Sequence, residues 1–247
     1  MNSAYHHPVA FLSELASSTS RQLQSTSPAL IVPVGSVEQH GPHLPLDTDT
    51  RIATAVARSV ADRLTDRNES NCALAPAIGY GASGEHEGFP GTVSIGTSAL
   101  RLLLVEFGRS ASQWASRLVF VNGHGGNVEA LAAAAALLRY EGRDVGWCSC
   151  TAENADAHAG HTETSVLLHI SPTDVWVDER LPGNREPLAQ LMPRMRQGGV
   201  AAVSELGILG DPTTATAEEG ERILAEMVDA CLRRIVRWAP DRDGMLT

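Results

Sequence analysis

Residues Ala29 to Asp49 read ALIVPVGSVEQHGPHLPLDTD. The apolar run that ends at Val34 predicts a buried β-strand, and Gly35 ends it. Pro33 cannot donate a hydrogen bond to a neighbouring strand, which favours an edge position or a bulge. A polar segment follows the strand at once, and in folds with parallel strands ligands bind just beyond the carboxyl ends of the strands. This stretch therefore predicts both a buried sheet and the place of a site.

Strands and helices alternate along the rest of the chain. The other predicted strands are Cys72–Ile78, Arg117–Val121 and Asp144–Cys150. The predicted helices are Thr50–Arg67, Leu100–Trp114, Val128–Tyr140, Thr162–Ile170 and a last one that follows the capping pattern at Thr216 to Glu219. Alternation of this kind predicts βαβ units, a mainly parallel sheet and a three-layer α/β/α fold. We expect one domain over residues 1–247, with flexible ends at 1–25 and 239–247.

Charge and hydropathy exclude several classes of partner. The net charge of −10 argues against nucleic acid and anionic membranes, since both require basic patches. No apolar run reaches the roughly 18 residues of a membrane span. Residues Met1 to Ser20 lack the pattern of a signal peptide, which predicts a cytoplasmic location.

The segment after the first strand carries candidate metal ligands. Glu38 and His40 are two residues apart, so in an extended chain both side chains point the same way. Gly41 and Pro42 bend the chain and allow Asp49 to return towards them. Mixed oxygen and nitrogen ligands suit Zn, Mn or Fe(II) better than Ca or Mg. The alternative is a polar loop in which the histidines are incidental.

Three further polar clusters are candidates for the same site. His124 follows the third strand in the glycine-rich turn NGHGGN, which lacks the Lys and Ser/Thr of a phosphate-binding loop. His158 precedes a predicted helix and Glu163 lies at its start. Glu163 suits either metal binding or a charge that complements the helix dipole, and His158 suits metal binding, acid–base chemistry or a plain surface position. The glycine-rich stretch 79–92 is too irregular for a helix or strand, and such loops usually line sites. Its candidate substrate-binding residues are Ser83, Glu85 and His86.

Four motifs, in this order, resemble the creatininase family. They are GSVEQHGPHLP, EHEGFPGT, NGHGGN and HAGHTETS, and the resemblance runs from about Gly35 to Gly220. It implies a creatininase-like α/β fold, a homo-oligomer, and two divalent metal ions: Zn, Fe(II) or Mn. The positions that match the family's metal ligands are Glu38, His40, Asp49 and His124, with Asp49 as the bridging residue. His158 matches a residue implicated in substrate binding and proton transfer.

Two departures from that family pattern bear on function. Gly126 stands where creatininases proper have a further glutamate ligand, and Glu163 is the natural substitute. Asn154 and Ala155 stand where they have a Trp-Asp pair, which argues against creatinine as the substrate. Within the family the chain most resembles the peptidase branch of mycofactocin maturation, which removes a modified C-terminal Val-Tyr unit from a short precursor peptide. The alternatives are a formamidopyrimidine-nucleotide deformylase or another small-molecule amidohydrolase, and, more remotely, an inactive metal-binding member.

The expected reaction is metal-dependent hydrolysis of a C–N amide bond. Two metals that share Asp49 would activate a water molecule for attack on the carbonyl carbon. Glu163, if it is not a ligand, takes the proton of the water, and His158 protonates the leaving nitrogen. Gly125 and Gly126 allow close approach of the substrate backbone and offer N–H donors to the oxyanion. A serine hydrolase that uses Ser36 or Ser83 is disfavoured, because neither residue lies in a GxSxG turn.

Overall fold

A computed structural model of the chain describes residues 14–24, 26–66 and 71–247. Its sheet has four parallel strands in the order β2-β1-β3-β4. They are β1 (Ala29–Val34), β2 (Cys72–Leu74), β3 (Arg117–Asn122) and β4 (Val145–Ser149). The helices are α1 (Ser20–Leu23), α2 (Thr48–Asp66), α3 (Gly96–Ala111), α4 (Val128–Tyr140), α5 (His161–Ile170), α6 (Leu188–Gly198) and α7 (Ala217–Arg237).

Helices cover both faces of this sheet. Side chains alternate between the faces of a strand, so Leu30 and Ile31 enter different cores. Ile31 packs with residues of α2, α5 and α7, whereas Leu30 packs with residues of α3 and α4. The predicted three-layer α/β/α arrangement is confirmed.

The position of Pro33 differs from the expected edge or bulge, because β1 is an interior strand between β2 and β3. The Pro33 carbonyl accepts from Ile78 N at 2.9 Å, so this side of the residue faces the chain that leaves β2. Strand β2 has already ended at Leu74. Pro33 lacks an N–H donor on this side, and β2 has no residue opposite that would need one. A proline is therefore tolerated in this interior strand.

Several boundaries also differ from the sequence predictions. Helix α2 begins at Thr48, which puts Asp49 in its first turn, and α6 was not predicted at all. The segment 239–247 is packed and not the flexible end expected, since Met245 pairs with Trp147 and Leu246 is buried. Of the expected N-terminal flexible segment, residues 1–13 and 25 lie outside the described residues. None of the helices in the described part of the chain has the length and apolarity to cross a membrane.

Candidate metal centre

The centre lies at the carboxyl ends of the two middle strands. Val34 at the end of β1 is paired with Asn122 at the end of β3, so the segments that follow both strands start side by side. Glu38 and His40 come from the first segment, and His124 comes from the second. These three side chains and that of Asp49 in α2 are buried. The sheet register thus brings the predicted ligands together.

Asp49 occupies the middle of this cluster. Its Oδ1 lies 3.1 Å from His40 Nε2, and its Oδ2 lies 3.2 Å from His124 Nδ1. On the other side of the imidazole, His124 Nε2 is 3.2 Å from Glu38 Oε2. The two oxygens of Asp49 therefore face two different histidines, which is the arrangement that a bridging carboxylate requires.

Two sets of ligand atoms overlap at Asp49. Within each set, atoms from all three residues lie within 4.8 Å of one another, which is close enough to hold one ion. The sets are Glu38, Asp49 and His124, and His40, Asp49 and Glu163. A third set with the same spacing joins Glu38 and His40 to His158. Asp49 is common to the first two sets and absent from the third.

The surroundings of the Glu38 carboxylate indicate whether the cluster around Asp49 suits a cation. Glu38 is 0% exposed, and no described residue donates a well-aligned hydrogen bond to either of its carboxylate oxygens, although His124 Nε2 lies 3.2 Å from Oε2. A buried carboxylate is costly unless a cation compensates it, and either a protonated His124 or a metal ion can do so here. Neighbouring polar groups orient the ligands: Ser36 Oγ donates to Asp49 Oδ2 at 2.6 Å, and His40 Nδ1 lies 3.1 Å from the Glu38 carbonyl. The chemistry of these donors fits a divalent metal ion.

The protonation of the cluster without metal follows from its charges. Burial alone would lower the pKa of His40, but Asp49, Glu163 and Glu38 raise it to about 10. Burial would raise the pKa of Asp49, but His40 and His124 hold it well below its ordinary value. Without metal, protons on the histidines therefore balance the carboxylates, and a metal ion would replace those protons.

His158 has a different environment. Burial, together with the nearby His40, lowers the pKa of His158 to about 3, so the ring is neutral. Its Nε2 donates to the Gln39 carbonyl at 2.8 Å, which leaves Nδ1 without a proton. That Nδ1 lies 3.7 Å from Glu38 Oε1. His158 therefore presents an unprotonated Nδ1 to the edge of the centre.

Glu163 lies beside the second set of ligands. Its Oε2 is 3.8 Å from His40 Nε2 and accepts a hydrogen bond from Ala159 N at 2.6 Å. Burial raises the pKa of Glu163 to about 7, against the opposing effect of His40. This placement supports Glu163 as a ligand more than as a free base, because the carboxylate adjoins both His40 and Asp49.

The loop 79–92 forms one wall of the centre. His86 Nε2 lies 3.4 Å from Glu38 Oε1, and Glu85 Oε1 lies 3.6 Å from His124 Nε2. Ser83 is buried, and its Oγ lies 3.4 Å from His124 Nε2. A cavity of about 660 Å³ opens beside the centre, and Glu85, His86, Gly125 and Gly126 line it. Ser83 does not, which places it behind His124 and not at the cavity surface.

A glycine is required at position 126 because the surrounding residues leave no room for a side chain. A Cβ at this position would stand 2.3 Å from Ala82 O, 2.5 Å from His124 Nε2 and 2.7 Å from Glu85 Oε1. At Gly125 a Cβ would meet nothing within 4 Å. The space that a side chain at position 126 would need is therefore filled by the loop 79–92, whereas Gly125 leaves the cavity open to a ligand.

We expect Gly126→Ala to displace the His124 ring and weaken metal binding by about 10- to 100-fold. Metal affinity measured by competition with a chelator checks this. Gly125→Ala is the matched control, since its added methyl group has open space, and it should bind metal like the wild type. Wild-type affinity in Gly126→Ala would contradict the expected clash.

Two contributors to the site were missed from sequence. Gln39 lies between two ligands, yet its Nε2 contacts His86 Nδ1 at 2.8 Å and donates to Gly207 O at 3.1 Å. Nothing in its sequence position indicates these contacts, since they depend on chain segments far away in the sequence. Helix α6 supplies Leu188, Met192 and Met195 to the cavity. Their spacing of four and three residues is a helical signal that Pro193 obscured.

Comparison with known proteins places these motifs in a family. A family model described as creatinine amidohydrolase matches residues 13–235. The chain belongs to the creatininase family. It is 73% identical over 247 residues to the mycofactocin precursor peptide peptidase of Mycolicibacterium smegmatis, and the match covers 100% of both chains. The resemblance predicted from the four motifs is thereby confirmed.

Solved structures of the family agree with the fold and with metal binding. A structure named creatininase Mn has a TM-score of 0.75 at 26% identity and covers 93% of this chain and 100% of its own. A mutant creatininase of Zn-Zn type has a TM-score of 0.74 at 27% identity, with coverage of 92% and 98%. These names attach Mn and Zn to creatininases of the same α/β fold, in agreement with the ligand chemistry found here.

Proposed function

We propose that this chain is a peptidase with two divalent metal ions that removes the modified C-terminal Val-Tyr unit from the mycofactocin precursor peptide. The cluster around Asp49 carries the proposal for the chemistry, because its buried, overlapping ligand sets open into a cavity. The 73% identity to a precursor peptide peptidase over the whole chain supports a peptide substrate. No feature of the described site favours deformylation of a nucleotide over this reaction.

One ion would be held by Glu38, Asp49 and His124, and the other by His40, Asp49 and Glu163. When bound, such ions supply a water molecule with a pKa near 7 and polarise the scissile carbonyl. Mn, Zn and Fe(II) all suit these donors. Glu163 therefore serves as a ligand in this proposal, and the proton transfers fall to another residue.

His158 is the residue for those transfers. Its Nε2–H is held by the Gln39 carbonyl, so the free Nδ1 can take a proton and pass it on. Hydrolysis adds the oxygen of water to the carbonyl carbon, breaks the C–N bond and requires one proton on the leaving nitrogen. His158 delivers that proton, and the products are a carboxylate and an amine. The open space at Gly125 admits the substrate backbone beside His124.

The test is an anaerobic hydrolysis assay with detection by mass spectrometry. Metal-loaded protein receives the modified precursor peptide, with creatinine and a formamidopyrimidine nucleotide in parallel. We expect release of the C-terminal fragment from the peptide alone, and loss of that release on chelation. Cleavage of only a small molecule would refute the peptide substrate, and no metal-dependent cleavage of any of the three would refute the enzyme.

A further inference from the structure

The cavity has a second wall that the proposed chemistry does not use. Three of the chain's five methionines line it, namely Met192, Met195 and Met227. The first two belong to α6 and the third belongs to α7, so the thioethers come from two helices far apart in sequence. No Phe, Tyr or Trp is among the described residues that line the cavity.

Helix α6 is not part of the main core. Leu191 is its one buried residue among those described, and it packs in a small cluster with Val200 and Leu209. Leu188, Met192 and Met195 recur at helical spacing on a face that borders the cavity. Met195 also packs against this small cluster, and the rest of the face borders the cavity, where bound substrate would reach it.

The chemistry of this wall selects among possible side chains. Methionine is unbranched and polarizable, and its sulfur makes favourable contacts with aromatic rings. The cavity lining carries both signs of charge, since Arg196 of α6 lines it together with the carboxylates of Glu85 and Asp156. The methionine sulfurs therefore favour an aromatic ring over an aliphatic side chain at this wall.

We propose that Met192, Met195 and Met227 form the subsite for the aromatic ring of the fragment that leaves with the new amine. This inference rests on the proposed function and deepens it, because it assigns the Tyr-derived ring of the Val-Tyr unit to a wall of the cavity. Asp49, His124 and His158 line the same cavity. A fragment whose ring contacts α6 can therefore extend within one cavity to the centre where the bond would be cleaved. The three methionines then determine substrate preference and not the rate of the chemical step.

The probes are valyl-tyramine, which has the phenol ring, and valyl-isoamylamine, which lacks it. Binding of each to the manganese-loaded protein is measured by calorimetry. In Met192→Leu/Met195→Leu, which keeps size and apolarity but removes both sulfurs, we expect the preference for the ring to fall by about 2- to 10-fold per sulfur contact. Met245→Leu is the matched control, because Met245 lies outside the cavity lining, and its preference should stay unchanged.

Cleavage of the modified precursor peptide is measured in parallel. For the double variant we expect KM to rise about tenfold while kcat stays within about twofold, with unchanged metal content and melting temperature. If the double variant cleaves the peptide and keeps the wild-type preference for the ring, the subsite is refuted and the proposed function stands. If the peptide is not cleaved but the binding of valyl-tyramine depends on the methionines, the proposed function is refuted and the subsite is supported. Equal binding of both probes by the wild type would overturn the subsite.

Discussion

Asp49→Ala is expected to lose both metal ions and at least about 10³-fold of the hydrolysis rate. Asp49 is the one residue common to both proposed ion sites, and its two oxygens face His40 and His124. Without this carboxylate, each ion would retain two protein ligands and lose the negative charge between them. Metal content per chain after dialysis, measured by mass spectrometry, and the cleavage rate check the prediction.

Two variants separate this effect from general damage. Asp47→Ala removes an aspartate two residues away that pairs with Arg51 at the surface, and it should keep both ions and the activity. His158→Ala should keep both ions but lose about 10²- to 10⁴-fold in rate, as expected for a proton-transfer residue. Two equivalents of tightly bound metal in Asp49→Ala would refute the bridging assignment, and metal loss in His158→Ala would make His158 a ligand.

Removal of metal should lower the melting temperature by roughly 8–16 °C. A ligand at a thousand times its dissociation constant stabilises the folded state by about 4 kcal/mol. For a chain of this size, each kcal/mol corresponds to about 2–4 °C. Without metal, protons on His40 and His124 balance the buried carboxylates, and a bound ion would replace those protons. Thermal unfolding with chelator, and again after Mn or Zn is restored, measures the difference.

Glu38→Gln sharpens this experiment. The amide is nearly isosteric but neutral, so it removes one partner of the buried Glu38–His124 pair, and the metal-free variant should unfold at a lower temperature than the metal-free wild type. The gain in melting temperature on addition of metal should shrink, because a ligand has been lost. Glu87→Gln, on the exposed side of the same loop that carries His86, is the control and should respond to metal like the wild type. A melting temperature that does not respond to metal in the wild type would contradict the proposed centre.

Much of the centre could be predicted because its signals are local. Glu38, His40 and His124 each follow a buried apolar strand directly, and glycines mark the turns. Apolar runs and helical periodicity predicted every strand, although β2 and β4 proved shorter than expected. The edge position or bulge predicted from Pro33 was wrong, because the position that a proline can occupy in a sheet depends on where the neighbouring strand ends. Helix α6 was missed because its apolar face borders a cavity and Pro193 interrupts its pattern.

The sequence by itself determined the fold class, the family and the identity of four ligand candidates, since these follow from periodicity and from motifs of adjacent residues. The tertiary structure alone decided which candidate ligands lie close enough together to share an ion. His40 meets Glu163 across 123 residues of sequence, and Gln39 contacts His158 across 119. It also decided that Glu38 is buried without a well-aligned hydrogen bond and that methionines of α6 and α7 face one cavity. Such contacts arise from the packing of distant elements, which no local pattern records.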